Sequence, residues 1–463
     1  MKKFGVLGML LALAMIGPGC GSSNSSSSFN QNQSANVFLT GEDAPLASVV
    51  AFNVTLNSVT LNTAGGGTAT VISTPVTVDF ARLLGLRSPL GFNSVPSGTY
   101  SSATFVMANP VIDYITLTPS PAVTTINGTF PGSQNPYTVT VNFPSPMVVS
   151  GNGLAGLKME MDIRQSLAVD SNGQITGAVN PVIYVKATRA SDPDGQVTDL
   201  MGGLVSVNAA NNSFVLQGPY GRQVTVEVGS STQFNGGWNI NDLAAPAFVA
   251  VQGYFQADGS VMAKFVEVVT TDHSFVSGRV LAETTNGSGQ VQTVTMWVGE
   301  TGADMVGVVD SIQTYDVSAV STYDICFMNN VLTNAVFNST SVVVGQRIFI
   351  GGSFVSNTFT ADMISLRLQG VYGAFVPGSV VMGNGNAGTF QLSNNGLVGY
   401  SAGGPVTVNT FSGTEFFNLS GLGQLQSTST AIPIVTRGLL LKDPVSGNLE
   451  MYSGWVAAPP QTN

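Results

Sequence analysis

The sequence predicts an all-β protein, with an N-terminal β-sandwich-like domain followed by about three small β-barrel or sandwich modules. Charged residues make up only 9% of the 463 residues, against about 25% in ordinary globular chains. β-Branched and aromatic residues alternate with polar ones over most of the chain, which is the pattern of half-buried strands. Stretches rich in Glu, Lys, Ala and Leu, which long helices need, do not occur. At roughly 100 to 200 residues per domain, this length predicts several domains.

The N-terminal stretch predicts export and a lipid anchor. Two lysines precede the uncharged apolar run 4–16, which is shorter than the about 20 residues that a transmembrane helix needs. This run, followed by Gly19 and Cys20, resembles the signal of bacterial lipoproteins, in which the cysteine accepts a lipid. The resemblance implies that residues 1–19 are a signal peptide and that Cys20 is lipidated. The alternative is an ordinary secretory signal that happens to end near a cysteine.

A polar linker follows this cysteine. Residues 21–35 are mainly Ser, Asn and Gln, which bury too little apolar surface to offset the entropy of ordering. We therefore expect residues 20–35 to be a lipidated, disordered tether that reaches on the order of 20 Å. The expected partner is a membrane, through the lipid on Cys20. The expected location is a bacterial cell envelope, with the outer membrane or the cell surface favoured.

Charge and cysteine content exclude two classes of protein. The formal net charge is −10 at pH 7, so nucleic acid is not an expected partner. The chain has two cysteines, and if Cys20 carries a lipid, Cys326 has no partner. We therefore expect no disulfide framework to stabilise the fold.

The segment 36–190 has the pattern of a strand-rich, β-sandwich-like domain. Alternation slips phase near Ser58, as a β-bulge requires, and residues 82–86 favour a helical turn. Strands are predicted at residues 36–39, 49–61, 75–80, 101–107, 123–130, 137–143, 157–167 and 182–187.

Four short motifs of this segment resemble those of an uncharacterised domain family found in bacterial surface lipoproteins. They are Asp43-Ala44-Pro45, Asn53-Val54-Thr55-Leu56, Val78-Asp79-Phe80 and Pro96-Ser97-Gly98-Thr99-Tyr100. The resemblance implies an exported β-sandwich-like module. It carries over no catalytic residue, because the family has no assigned activity.

One predicted strand concentrates charge on a single face. In residues 157–164 apolar side chains alternate with Lys158, Glu160, Asp162 and Arg164. One interpretation is a polar binding face, with Glu160 and Asp162 as ligands for a metal ion or a sugar. The favoured interpretation is a solvated face whose opposite charges pair across strands, because exposed ion pairs are common and weak.

The next break in the strand pattern is the best domain boundary, at residues 191–199. It holds Asp192, Asp194 and Asp199, and clustered carboxylates on a turn are ligands that Ca²⁺ prefers. The segment lacks the twelve-residue loop and terminal Glu of a full calcium-binding loop. A turn without metal is therefore favoured, and Ca²⁺ is the one cofactor that the sequence allows for.

Beyond this boundary the chain repeats a pattern of short strands. The first unit resembles a second uncharacterised family of exported proteins, with a Gly-x-Val start at Gly203 and a hairpin turn at Asp258-Gly259. The resemblance implies five- or six-stranded small barrels or sandwiches in tandem. The β-modules are predicted at residues 200–270, 275–369 and 370–460.

Several motifs do not favour catalysis. The G-x-G-x-x-G sequences at 151–156 and 383–388 precede strands, whereas a dinucleotide site requires a helix, so both are predicted to be turns. His273 is the only histidine, which excludes His-rich zinc sites. Cys326 lies in an apolar stretch and is interpreted as a small buried hydrophobic residue.

Two tryptophans are candidates for stacking on a sugar. Trp238 lies in the polar segment 235–239 and is the first candidate, and Trp455 is the second. A tryptophan in a loop is equally typical of a cap over the end of a barrel.

We therefore expect a non-catalytic, membrane-tethered surface or periplasmic lipoprotein with a binding or scaffold role. Its expected partners are a glycan or another envelope protein, besides the membrane. The alternative is a carbohydrate-active enzyme or a glycan-binding module that uses surface carboxylates and Trp238, because the two carboxylates of a glycosidase are close in space and not in sequence.

Overall fold

Strands dominate the protein, and the all-β prediction is confirmed. The computed structural model describes residues 30–44, 49–83, 85–116, 120–170, 175–218, 221–270, 274–325, 335–393, 405–443 and 446–458. Regular structure in these ranges consists of strands, two short α-helices and several 3-10 turns. Within them, no helix has the length and apolar character that crossing a membrane requires.

The N-terminal domain is one nine-stranded sheet with a small two-stranded ribbon beside it. Its helix is α1 (Ile163–Ser166). Its strands are β1 (Asn30–Ala44), β2 (Val49–Asn62), β3 (Thr68–Ile72), β4 (Val76–Asp79), β5 (Ser88–Thr116), β6 (Ala122–Asn127), β7 (Tyr137–Val149), β8 (Leu154–Asp162), β9 (Leu167–Val169), β10 (Ile175–Val179) and β11 (Ile183–Thr188).

The strand β5 organises this domain because it belongs to both halves of the sheet. Its first residues pair with β1, and its later residues pair with β2, β6 and β7. The order is β11-β8-β1-β5-β2-β3, with β4 on β2. Met159 of β8 and Phe105 of β5 lie in the same core, so the two halves face each other as in a sandwich. Among the described strands, β7 pairs only with β5 and β11 only with β8, so β7 and β11 lie next to each other without being paired, and we call the line between them the seam.

Local expectations in this domain are partly confirmed. The predicted bulge is present, since the pairing of β2 with β5 shifts between Leu56 and Ser58. The helical turn is a 3-10 turn at Phe80–Leu83, and it begins where Asp79 Oδ1 accepts a hydrogen bond from Ala81 N. Both G-x-G-x-x-G sequences form turns that lead into strands, as predicted.

The N-terminal strand differs from the expectation. The segment 20–35 was predicted to be disordered, but β1 begins at Asn30, and Ala35 is buried opposite Val95 of β5. The strand also continues past residues 36–39 to Ala44, because it pairs with the parallel strand β8 along this whole length. Residues 20–29, with Cys20, lie outside the described residues.

The predicted strand 157–167 ends early. β8 ends at Asp162, whose side chain accepts a hydrogen bond from Gln165 N at 2.9 Å and so caps α1. Arg164 therefore lies on a helical turn and not on the charged face of the strand. The alternation of residues 157–162 is as predicted, since Leu157, Met159 and Met161 are buried in the core.

Three smaller β-modules follow the N-terminal domain. The first contains β12 (Gln196–Asn208), β13 (Ser213–Gln217), β14 (Gln223–Phe234), β15 (Phe248–Phe255) and β16 (Val261–Thr270). The second contains β17 (Phe275–Thr285), β18 (Val291–Thr301), β19 (Ser311–Asp316), β20 (Thr322–Ile325), β21 (Arg347–Val355) and β22 (Thr358–Leu366). The third contains β23 (Gln369–Phe375), β24 (Val381–Met382), β25 (Gly388–Ser393), β26 (Val406–Phe417), α2 (Leu422–Ser427), β27 (Pro433–Lys442) and β28 (Leu449–Ala457).

The first and third modules share one strand order. The first is a closed barrel, β12-β13-β14-β16-β15, in which β14 and β16 are parallel. The third follows the same path, β23-β25-β26-β28-β27, with β26 parallel to β28 and β23 paired with both β25 and β27. The second module has the same neighbours, but its third strand is divided into β19 and β20, which lie at opposite ends of an open sheet.

Candidate functional site

A large concave surface lies at the seam between β7 and β11 of the N-terminal domain. It is a cleft of about 650 Å³ between the edge strands β7 and β11 and the ends of β26, β27 and β28 of the third module. The N-terminal domain contributes Glu42, Val141, Asn142, Pro144, Ser145, Pro146, Lys158, Glu160, Ile183, Tyr184, Val185, Lys186 and Ala187; the segment before β12 contributes Asp194; and the third module contributes Phe416, Phe417, Asn418, Val435, Trp455, Ala457 and Ala458.

Strand register builds the charged floor of the cleft. Glu42 of β1 lies opposite Glu160 of β8, which lies opposite Tyr184 of β11. Two residues before Glu160 on the same strand, Lys158 lies opposite Lys186 of β11. Because side chains alternate between the two faces of a sheet, these residues share one face. The same alternation puts their apolar neighbours into the core of the N-terminal domain.

Ion pairs connect these side chains into what we call the cleft cluster: Glu42, Lys158, Glu160, Lys186 and Asp194. Lys158 Nζ lies 2.9 Å from Glu42 Oε2, 3.5 Å from Asp194 Oδ1 and 3.8 Å from Glu160 Oε2. Lys186 Nζ lies 2.6 Å from Asp194 Oδ2. Burial alone would lower the pKa of Lys158, but the surrounding carboxylates outweigh it and raise that pKa above its usual value.

Glu160 is the carboxyl group that opens into the cleft. Within the described part of the chain it makes no hydrogen bond, and its ion pair with Lys158 is the longest of the three. Burial raises the pKa of Glu160 to about 7, Lys158 opposes this shift, and the charges of Glu42, Asp162 and Asp194 add to it. The pKa of Asp194 is shifted in the opposite direction. Burial alone would raise it, but the attraction of the Lys158 and Lys186 ammonium groups is larger and lowers it. A shifted carboxyl in a cleft is typical of a functional site.

The favoured interpretation of this charged face was wrong in one respect. Its charges pair across strands, but the face is not solvated, since the side chains of Lys158 and Glu160 are each 13% exposed. The third module and the segment 192–195 cover it. Asp162 does not join Glu160 in the cleft, because its carboxylate is used to cap α1.

The opposite wall of the cleft is aromatic. Phe416 and Phe417 are half-buried, and the ring of Phe417 lies 5.4 Å from that of Trp455. Trp455 is only 3% exposed, and the Arg437 guanidinium lies 5.9 Å from its ring centroid. The second tryptophan candidate therefore lines the cleft, but as a support for Phe417 and not as an open platform.

The first tryptophan candidate lies elsewhere. Trp238 follows the 3-10 turn Asn235–Gly237 in the connection between β14 and β15, and it packs half-buried against the core of the first barrel. This position fits the alternative that it covers the end of a barrel.

The three predicted calcium ligands have different partners. Asp192 accepts a hydrogen bond from Arg189 N, Asp194 pairs with Lys158, Lys186 and Arg87, and Asp199 pairs with Arg82 at 3.2 Å. In the ranges that the structure describes, no group of three or more His, Cys, Asp or Glu side chains is placed to hold a metal ion. His273 and Cys326 lie outside the described residues.

Sequence reasoning missed most of the cleft. Glu42, Lys186 and the aromatic wall come from strands that lie far apart in the chain. One usable signal was the low charge of the protein: Lys158, Glu160, Lys186 and Asp194 fall within a short stretch of a chain that is only 9% charged.

Comparison with protein families assigns no activity. A family described as a domain of unknown function, DUF4382, matches residues 34–176, and a second one, DUF5666, matches residues 202–267. A search of curated proteins found no match. The first match includes Glu42, Lys158 and Glu160, whereas Lys186, Asp194 and the third module lie outside both matches. The cleft is thus completed by parts of the chain that neither family covers.

Proposed function

We propose that this chain is a non-catalytic lipoprotein of a bacterial cell envelope, held to a membrane by a lipid on Cys20, that binds a hydroxyl-rich ligand such as a glycan in the cleft. One observation carries this proposal: the Glu160 carboxyl, without a hydrogen bond to any described residue, opens into a cleft of about 650 Å³. Small-molecule sites typically have volumes of about 300 to 1,000 Å³ and combine apolar walls with a few polar groups.

The lining offers the contacts that a sugar needs. Glu160 accepts hydrogen bonds from hydroxyl groups, and Lys186, which is 59% exposed, donates them. The half-buried Phe416 and Phe417 rings supply an apolar surface for the C–H face of a sugar ring. These groups line one cleft of about 650 Å³.

The position of the cleft supports a tethered receptor. Asn36 is the first residue of β1 that pairs with β8. Glu42 lies six residues further along the strand, a distance of about 20 Å. The tether would join the domain at the start of β1. The cleft would therefore be held on the side of the domain that is further from the membrane.

Thermal unfolding of the chain with Cys20→Ser, which prevents lipidation, tests this proposal. A ligand at a hundred times its dissociation constant stabilises a protein by about 2.7 kcal/mol. We expect one or more soluble polysaccharides in a panel to raise the melting temperature, and Glu160→Gln to remove that shift. Glu227→Gln, on β14 of the first barrel, is the matched control and should retain it. Equal shifts in both variants would exclude the cleft as the site.

A specific observation also favours a second candidate, a carbohydrate-active enzyme. Glu42 and Glu160 are neighbours in register, and one of these two carboxyls has a pKa of about 7. Glycosidases use such a pair as acid and as nucleophile or base. Release of reducing ends from a polysaccharide, lost in both Glu42→Gln and Glu160→Gln, would establish this activity. Binding without hydrolysis would leave the receptor function.

Calcium binding and repetition of the modules are two further parts of the proposal. The shared strand order of the first and third modules supports an origin of all three modules from one repeated unit. For calcium, the pairing of Asp194 with two lysines argues against a site at Asp192, Asp194 and Asp199. Melting curves with calcium and with a chelator check this, and identical curves would exclude a calcium site that stabilises the fold.

A further inference from the structure

A second pocket lies where the N-terminal domain contacts the first barrel. Its volume is about 270 Å³. The start of β5 supplies Phe92, and Arg222 directly precedes β14. Phe255 ends β15, and Asp258 lies in the turn that follows it. This turn packs directly on the N-terminal domain, since a Cβ atom at Gly259 would lie 3.0 Å from Phe92 Cε1.

Arg222 is the unusual residue of this pocket. Its side chain is half-buried, and among the described residues it has neither an ion-pair partner nor a side-chain hydrogen bond. Burial lowers the pKa of the Arg222 guanidinium, and no carboxylate offsets this effect. A desolvated cation without a partner is unfavourable for folding. Such a residue is expected where a ligand supplies the missing charge.

The remaining groups define the kind of ligand. Phe92 and Phe255 stack with ring centroids 5.9 Å apart and form an apolar wall. Asp258 is exposed, and its carboxylate accepts hydrogen bonds from Ser260 N at 2.9 Å and Ser260 Oγ at 2.7 Å. Water therefore screens the negative charge of Asp258, and its carboxylate is already hydrogen-bonded within its own turn. Arg222 is therefore the charged side chain of this lining that has no partner among the described residues.

We infer that this pocket binds a small ring-shaped ligand that carries a carboxylate, with a uronic acid as the model case. Arg222 would hold the carboxylate in the bidentate geometry that guanidinium groups favour. The ring of the ligand would lie against Phe92 and Phe255. This inference does not depend on the cleft, because the two pockets share no lining residue.

Calorimetric titration of the full chain carrying Cys20→Ser with galacturonate tests the inference, with galactose as the neutral counterpart. We expect galacturonate to bind and galactose not to bind at this pocket. Arg222→Gln should weaken galacturonate binding at least tenfold. Arg222→Lys should weaken it less, because the ammonium keeps the positive charge but cannot form the bidentate pair with the carboxylate. Lys264→Gln, an exposed cation on β16 of the same barrel, should leave binding unchanged, as should Glu160→Gln in the cleft.

Three results would overturn the inference. They are the absence of galacturonate binding to the parent chain, unchanged affinity in a folded Arg222→Gln variant, and displacement of galacturonate by an equal concentration of inorganic phosphate. Loss of galacturonate binding in Glu160→Gln with retention in Arg222→Gln would assign the ligand to the cleft instead. Circular dichroism of each variant establishes that it is folded, and Arg222→Lys remains informative if Arg222→Gln is not.

Discussion

Two buried groups of charges lie at domain boundaries of this protein, and they are built differently. The cleft cluster sets three carboxylates against two lysines, and the buried Arg87 guanidinium lies 3.9 Å from its Asp194. The second group, which we call the junction cluster, lies where the N-terminal domain, the first barrel and the second module meet. It contains three arginines and three carboxylates: Arg82, Asp199, Glu267, Glu300, Arg347 and Arg367.

The junction cluster is balanced and closed. Arg82 lies 3.2 Å from Asp199 and 2.7 Å from Glu300, and Arg367 Nη1 lies 2.5 Å from Glu267 Oε1. Each carboxylate faces at least one guanidinium, whose planar fork suits buried pairing. In the cleft cluster, Glu160 has only the 3.8 Å ion pair with Lys158 and lines the cleft. The junction cluster thus joins domains, whereas the cleft cluster has a loosely paired carboxyl at the surface where we propose that a ligand binds.

The largest expected effect comes from breaking the closed pair. Arg367→Met leaves Glu267 with a buried charge, since both side chains are only 6% exposed. We expect a loss of about 3 to 5 kcal/mol in the free energy of unfolding at pH 7, measured by urea denaturation. Arg367→Met combined with Glu267→Leu should recover much of that loss, because no unpaired charge remains. A double variant as unstable as the single one would show that packing and not charge is responsible.

The next effect comes from removing the ammonium that three carboxylates share. Lys158→Met should lower the free energy of unfolding by about 2 to 4 kcal/mol at pH 7, less than at the junction because water reaches the cleft. The loss should shrink as the pH falls below about 7, because Glu160, whose pKa is about 7, then takes up a proton and no longer needs the ammonium. Denaturation curves at pH 7 and pH 4.5 measure this difference, with the exposed Lys264→Met as control. An equal loss at both pH values would contradict a charge effect.

Glu160 should produce an effect of the opposite sign. Its pKa is raised by burial to about 7 from the ordinary 4.5, so between these pH values the unfolded chain releases a proton that the folded chain retains. The contribution of Glu160 to stability therefore falls as pH rises through this window. Glu160→Gln removes the penalty and should stabilise the protein by about 1 to 3 kcal/mol at pH 8. At pH 4 the two proteins should unfold alike, and destabilisation at pH 8 would contradict the assigned shift.

The sequence predicted those features of the cleft cluster that depend on neighbouring residues. Alternation along β8 correctly placed Leu157 and Met159 in the core and Lys158 and Glu160 on the other face, because strand periodicity is a property of neighbouring residues. The segment 191–199, predicted to be a domain boundary, contains a 3-10 turn at Pro193–Gly195, and β12 begins within it at Gln196.

Burial of the charged face could not be predicted, because it depends on contacts between distant parts of the chain. Glu42 reaches Lys158 through parallel pairing of β1 with β8, and a parallel register leaves no hairpin signal in the sequence. The third module, which lies opposite this face across the cleft, is more than 200 positions away in sequence, with Phe416, Phe417 and Trp455 lining the cleft. Burial of Asp194 and Asp199 could not be predicted for the same reason. The sequence predicts that they lie on a turn, but both are buried between domains.

The smallest expected effect distinguishes pairing from burial within the cleft cluster. Lys186 Nζ lies 2.6 Å from Asp194 Oδ2, closer than any ion pair of Lys158, yet the Lys186 side chain is 59% exposed. Exposed pairs contribute about 0 to 1 kcal/mol and are screened by salt. Lys186→Met should therefore lower the free energy of unfolding by less than about 1 kcal/mol, and the difference should vanish in 0.5 M NaCl. A loss as large as that of Lys158→Met would mean that distance, and not exposure to solvent, determines what a charge in this cleft contributes.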